Sequence, residues 1–337
     1  MDSAGPQPMH GNAGRVVFSF AGKNMLATVR AEDNVKLRQT QKPANASASA
    51  QDFEVTAPIV DFFLAGGRHL QRAETSGAAQ IAIRSIPATS GQQTLVTAGQ
   101  FSAQFDALGQ LNAIHGAPDA RIVSSNPGQP DRVSTSNALN VTFHTGSGID
   151  SIVQQGSVAY SDGDRKAWAD RARYIPADQM LTLTGSPRVA EGGMTTTAHT
   201  IRMNRSTGDA FAEGDVKSTY SDLKAQPGGA LLASSSPIHV TAQSMTAHRT
   251  PAIALYAGAA RLWQGANIVE APSLEFDRDH RSVVANGSPA ESVSTVLVQT
   301  DRSGKATPVT VTSARLTYTD NERKALFEGG VLAKGPD

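Results

Sequence analysis

Residues 181–217 read LTLTGSPRVAEGGMTTTAHTIRMNRSTGDAFAEGDVK, and the alternation inside this stretch decides the fold. Ile201 and Met203 fall on one parity; Thr200, Arg202 and Asn204 fall on the other. Side chains of a strand alternate faces, so this is a strand with one buried face and not a helix. Asn204-Arg205-Ser206-Thr207-Gly208-Asp209 follows. These residues favour tight turns through local side-chain bonding and, for glycine, positive φ. Ala212-Glu213-Gly214-Asp215-Val216 then begins a second strand, so the unit is a β-hairpin with a glycine in its second half.

Working outward, the same unit returns nine times. Ile201 precedes Gly214 by 13 positions, and the same interval separates Leu274 from Gly287, Leu316 from Gly329, Ala172 from Gly185, Met245 from Gly258 and Ala103 from Gly116. A less clean copy runs from Val141-x-Phe143 to Gly156, and two weaker ones replace the glycine by Ala73 and Ala31. A fixed period means one supersecondary unit stacked on itself, each copy needing neighbours to cover its apolar face. Glycine inside a strand marks a bulge, a bend or a close approach of backbone. Recurring at one place, it predicts a sheet that bends along a line and folds over on itself.

Successive repeat glycines from Gly116 onward lie 40, 29, 29, 44, 29 and 42 residues apart. The longer intervals carry insertions at residues 125–131, 226–229 and 301–305, which read as hairpin tips. Residues 41–51, rich in Ala and Ser, read as a long loop or a break. The expected organisation is a disordered or linker segment over 1–14, divergent β-repeats over 15–97, and regular repeats over 98–337 continuous with them. The abrupt ends read as those of an excerpt from a longer protein.

Composition narrows the function classes. Thirty basic and thirty acidic residues cancel, which argues against a nucleic-acid protein. Charged residues make up 18%, below the ~25% usual for globular domains. There is no cysteine, hence no disulfide framework and no thiolate chemistry. No run of 18 apolar residues is present to span a membrane as a helix, and residues 1–14 lack the apolar centre of a signal peptide.

Motifs such as Ala212-Glu213-Gly214-Asp215-Val216 and Phe327-Glu328-Gly329-Gly330-Val331, and residues 181–217 as a whole, resemble the organic-solvent-tolerance A-like family, the periplasmic lipopolysaccharide-transport proteins. The resemblance runs over residues 98–334 and is poor before them. It implies an all-β fold of repeated antiparallel hairpins, one long sheet folded lengthwise into a β-taco or open β-jellyroll. It implies a periplasmic location, with the signal or anchor absent from this chain. The implied role is a carrier or bridge that holds lipopolysaccharide acyl chains in an apolar groove and passes them toward the outer membrane. The implied partners are lipopolysaccharide or a related glycolipid and other transport proteins joined by edge-strand pairing, with a head-to-tail homo-oligomer as the self-assembled form.

The apolar stripe of the repeats is Phe105, Val141, Phe143, Tyr174, Ile201, Met203, Leu274, Phe276, Leu316 and Tyr318. On one reading it is dry core between sheet halves; on the other it lines the groove. No histidine pair has metal-ligand spacing, so no metal is expected, nor any cofactor. Acidic residues recur with the turns and not as a unique cluster, so no catalytic residue is named and the chain is read as no enzyme. Two other classes fit the same repeats: a structural or adhesive β-repeat protein without ligand, and a carbohydrate-active β-helix enzyme.

Overall fold

The computed structural model describes residues 9–41, 50–86, 91–144, 148–221, 236–300 and 306–335. Every regular element among them is a β-strand, 28 in all. Their ladders are antiparallel. The β-helix alternative is thereby corrected, since a parallel β-helix needs parallel ladders and this chain alternates direction at each hairpin. The chain forms two compact units, Met1–Asp178 and Gln179–Asp337.

In the first unit, long strands take part in two half-sheets at once. β3 (Met25–Gln41) pairs through residues 28–32 with residues 59–63 of β4 (Ala50–Ala65), and through residues 35–41 with residues 51–57 of the same strand. The register breaks between Glu32 and Val35. One half-sheet, here leaf I, is continued by β2 (Arg15–Ala21), β5 (His69–Ser76), β8 (Gln100–Phe105), β9 (Leu111–Ala117) and β12 (Ala138–Phe143). The other, leaf II, is continued by β1 (Met9–Asn12), β6 (Ala79–Ile86), β7 (Gln93–Ala98), β10 (Ala120–Ser125) and β11 (Arg132–Ser136). β13 (Ile149–Asp162) and β14 (Arg165–Ile175) cross from one leaf to the other. Their facing sides share one core, with Ala31, Val60, Phe101 and Leu139 from leaf I against Val35, Ala79, Ile81 and Val96 from leaf II.

The second unit repeats the scheme. Its leaf I holds β15 (Met180–Thr184), β18 (Thr200–Asn204), β23 (Ser282–Asn286), β26 (Arg315–Thr319) and β27 (Lys324–Glu328). Its leaf II holds β16 (Arg188–Glu191), β17 (Met194–Thr197), β24 (Val293–Thr300), β25 (Ala306–Ser313) and β28 (Leu332–Lys334). The crossing strands are β19 (Ala210–Tyr220), β20 (Ile238–Ala247), β21 (Ile253–Gln264) and β22 (Asn267–Asp277).

The bend line is built from consecutive left-handed residues. Gly156-Ser157, Gly214-Asp215 and Gly258-Ala259 all have positive φ and coincide with breaks in register. At Gly214 two constraints meet. Its φ is +79°, and a Cβ there would stand 2.8 Å from Cγ of His199. Only glycine meets both at little cost.

The two weak copies are corrected. Ala31 is a buried strand residue and not a bend. The left-handed pair lies two residues on, at Asp33-Asn34, residue types that tolerate that conformation. The second weak copy turns at Gly77 and not at Ala73. Gly116 differs as well: it lies within β9, paired with Phe101, and a Cβ there would meet that ring at 2.6 Å.

Part of the expected linker is structured, because Met9–Asn12 pairs with β3 and Arg15 opens β2. The boundary drawn after residue 97 falls inside β7, which pairs with β6 on one side and β10 on the other. Of the three expected tips, residues 125–131 join β10 to β11, Asn126 accepting the amide of Gln129 on its carbonyl. The tips at 226–229 and 301–305 lie outside the described residues, as does most of the loop at 41–51.

Candidate functional site: the interior between the leaves

Cross-strand neighbours on the inner face form rows that run across each leaf. In leaf I of the second unit the row beside the bend is Leu183, Ile201, Ala212, Met245, Tyr256, Leu274, Ala285 and Leu316. All are buried, and Tyr256, Leu274 and Leu316 are 0% exposed. The next row outward contains Leu181, Met203, Phe276, Val283 and Tyr318. In the first unit that outer row is Phe18, Val29, Phe62, Ala73, Ala103, Ile114, Val141, Ile152 and Tyr174. Most of it is half-buried, and Phe18 at its end is 50% exposed.

The ten residues of the apolar stripe therefore lie at three depths. Ile201, Leu274 and Leu316 sit beside the bend. Val141, Tyr174, Met203, Phe276 and Tyr318 form the row outside it, and Phe105 and Phe143 are further out still. Phe105, Val141, Phe143, Tyr174 and Phe276 are half-buried, the other five buried. All ten come from leaf I. The facing row of leaf II was missed: Thr196, Ser218, Val240, Leu262, Val269, Thr295 and Val311, none more than 7% exposed. Alternation in Ile238-x-Val240 was the signal that marks it.

The outward parity is polar and ion-paired. Arg202 reaches Glu213 at 2.9 Å, Arg30 reaches Asp61 at 3.4 Å and Arg261 reaches Glu270 at 3.4 Å. Four histidines make turn-side or bend-side contacts with carboxylates: His144 with Asp150, His199 with Asp215, His248 with Asp209 and His280 with Asp277. Exposed pairs of this kind contribute little to stability, and their place is turn chemistry. Asp277 accepts both the backbone amide and the ring nitrogen of His280, at 2.9 and 2.6 Å. These bonds hold the Asp277 carboxyl below its ordinary value and raise the His280 imidazole above its own.

At one level the leaves of the second unit meet. Tyr220, near the margin of leaf II, stacks on Phe276 of leaf I with ring centroids 5.7 Å apart, and Tyr256 meets Phe276 edge-on at 5.5 Å. The two phenol oxygens are 3.0 Å apart. Burial pushes both phenols above the usual tyrosine value.

Fold and interior together define a class: antiparallel hairpin repeats bent into paired leaves around an apolar interior. Residues 129–209, about a quarter of the chain, match the family described as LptA/(LptD N-terminal domain) LPS transport protein. The family resemblance read from the hairpins is found there, over a narrower span than residues 98–334. Among solved structures, the chain is similar to LptH, described as the LptA homologous periplasmic component of the conserved lipopolysaccharide transport device from Pseudomonas aeruginosa. The identity is 15% and the TM-score 0.33, covering 39% of this chain and 93% of that one, a likeness from which nothing about this chain's arrangement follows. No curated protein gives a significant match.

Proposed function

We propose that this chain is a periplasmic, non-enzymatic carrier that holds lipopolysaccharide acyl chains between its leaves and passes them toward the outer membrane. The observation that carries the reading is the inward apolar row that crosses strand after strand of leaf I in each unit, in a chain whose residues 129–209 match a lipopolysaccharide-transport family. Acyl chains leaving a membrane need such a surface. Burying a ~12-carbon chain contributes about 10 kcal/mol at ~0.8 kcal/mol per CH₂. A row continuous across strands lets that contact be exchanged in small steps, and the charged head group stays with the polar outer face and solvent.

Photo-crosslinking side chains at positions 203 and 276 should capture lipopolysaccharide in cells, and those at 202 and 275 should not. Equal capture on both parities would refute the assignment.

Partner transport proteins, and a head-to-tail homo-oligomer, would join at the leaf edges. β2 pairs with β3, and β27 with β26; among the described residues neither has a ladder on its other side. Phe20 and Leu326, on those strands, are 62% and 44% exposed. Unpaired edges accept a strand from another chain.

The ligand-free structural reading has one observation in its favour, the near-zero exposure of the second unit's inner rows. The crosslinking experiment separates the two.

A further inference from the structure

The interior of the second unit is not uniformly apolar. Thr196 and Ser218 face each other across β17 and β19 at 3% and 1% exposure, with their hydroxyls 2.8 Å apart. The Tyr256 phenol of the facing leaf meets Tyr220 with the oxygens 3.0 Å apart and lies near Ser218. Two hydroxyl pairs thus lie inside an apolar sleeve, running from the half-buried Tyr220–Phe276 rim toward the bend. Further along the row that holds Thr196 and Ser218 comes Thr295. It is 0% exposed, and its Oγ1 has no hydrogen-bond partner.

A dry core gains nothing from Thr295. Valine fills the same space without a buried hydroxyl that lacks a partner, an arrangement that is costly and uncommon in folded proteins. Nor does a dry core need hydroxyls that join its two walls. A ligand oxygen beside Thr295 would satisfy it, and a ligand oxygen near the rim could exchange with the Tyr220–Tyr256 bond without exposing a bare polar group. The cluster is uncharged, since aliphatic hydroxyls and phenols are protonated at neutral pH, and burial raises both phenols further. It therefore matches a neutral oxygen and not a phosphate or carboxylate.

We propose that Thr196, Ser218, Tyr256 and Thr295 are polar subsites inside the second unit for an acyl chain bearing an oxygen substituent, a chain hydroxyl or an ester carbonyl, admitted at the Tyr220–Phe276 rim. The proposal rests on the carrier reading and names the kind of chain this unit prefers.

The test uses the full chain and two probes of equal length, tetradecanoic acid and 3-hydroxytetradecanoic acid, each competing with a fluorescent fatty acid. The hydroxylated chain should bind about fivefold tighter, as one net hydrogen bond provides. In Thr295→Val, and in Ser218→Ala combined with Tyr256→Phe, the ratio should move toward one, with circular dichroism confirming the strand fold. If the double variant fails to fold, Thr295→Val and the unmodified protein decide. Equal affinity of the unmodified protein for the two probes, or a preference that survives in every folded variant, overturns the proposal; the carrier reading stands as long as the plain chain binds. Binding of neither probe would overturn both.

Discussion

The two units share one backbone scheme and differ in how far their interiors are closed. Beside the bend both are dry: Ala31, Val60 and Leu139 in the first are as buried as Ile201, Leu274 and Leu316 in the second. One row outward they part. Phe62, Ile114, Val141, Ile152 and Tyr174 of the first unit are half-buried and Val29 is buried, whereas Leu181, Met203, Val283 and Tyr318 of the second are buried and Phe276 is half-buried. Both rows beside the bend mix large and small groups: Val60, Phe101 and Leu139 with Ala31, Thr75, Gly116 and Ala172 in the first unit, and Leu183, Met245, Tyr256 and Leu274 with Ala212 and Ala285 in the second. On the carrier reading, the first unit offers apolar surface as it stands, and the second has to part its leaves.

The largest expected effect follows directly. The chain has no cysteine, so a single introduced thiol reports on one position. Val141→Cys should react with a small maleimide about a hundredfold faster than Met203→Cys, its buried counterpart one row out in the second unit, whose modification waits for local opening. Equal rates would remove the distinction between the units. Stability should follow the same division. Leu274→Ala leaves a cavity at a fully buried site and should cost about 3 kcal/mol in denaturant unfolding. Val141→Ala, at a half-buried site, should cost about 1 kcal/mol. Similar losses at both positions would mean that the outer row of the first unit is core after all.

Much of this was legible in the sequence because alternation and spacing are local. Ile201-x-Met203, Leu274-x-Phe276 and Leu316-x-Tyr318 show one inward parity, and Gly156, Gly214 and Gly258 mark the bend. Depth was not legible. Phe143 and Leu316 hold equally apolar places in the pattern, yet one is half-buried and the other 0% exposed, because Phe143 lies two rows further from the bend. The facing leaf itself was overlooked. Its row mixes Thr196, Ser218 and Thr295 with Val240 and Leu262, so its apolar signal is diluted where the polar subsites are proposed. Gly116 misled for a related reason: it keeps the 13-residue interval from Ala103, but its small size serves the Phe101 ring and not the bend.

The bend is common to both units, so a change there should disturb closure without touching the lining. Gly214→Ala places a side chain at φ +79° and against the His199 ring. A left-handed alanine costs roughly 1–2 kcal/mol, and His199, being exposed, has room to move aside. The expected loss in unfolding free energy is thus about 1–2 kcal/mol, smaller than that of Leu274→Ala. A larger loss would show that the bend sets the packing of both leaves; no loss would show that the pleat relaxes around the new side chain.

The smallest effect belongs to the hairpin turn between β22 and β23, where Asp277 and His280 pair on the surface of the more tightly closed unit. His280 has a folded value above its ordinary 6.5, so its contribution is fully present below that pH and fades as the pH rises through the folded value. Asp277 has a folded value below 3.8, so its contribution is present above that pH and fades as the pH falls through the lowered value. The ion pair is complete only between those limits. His280 is exposed and Asp277 half-buried at the surface, so solvent screens the pair and unfolding curves should hardly register it. Nuclear magnetic resonance should register it: the His280 ring should titrate above 6.5, and in Asp277→Asn its midpoint should return toward that value. The rate of modification at Met203→Cys should be the same on either side of the transition, since turn chemistry outside the leaves has no part in closing them. An unshifted midpoint in Asp277→Asn would remove the pair. A labelling rate that follows the His280 titration would mean that the turn and the closed interior are coupled, and that the second unit opens with rising pH.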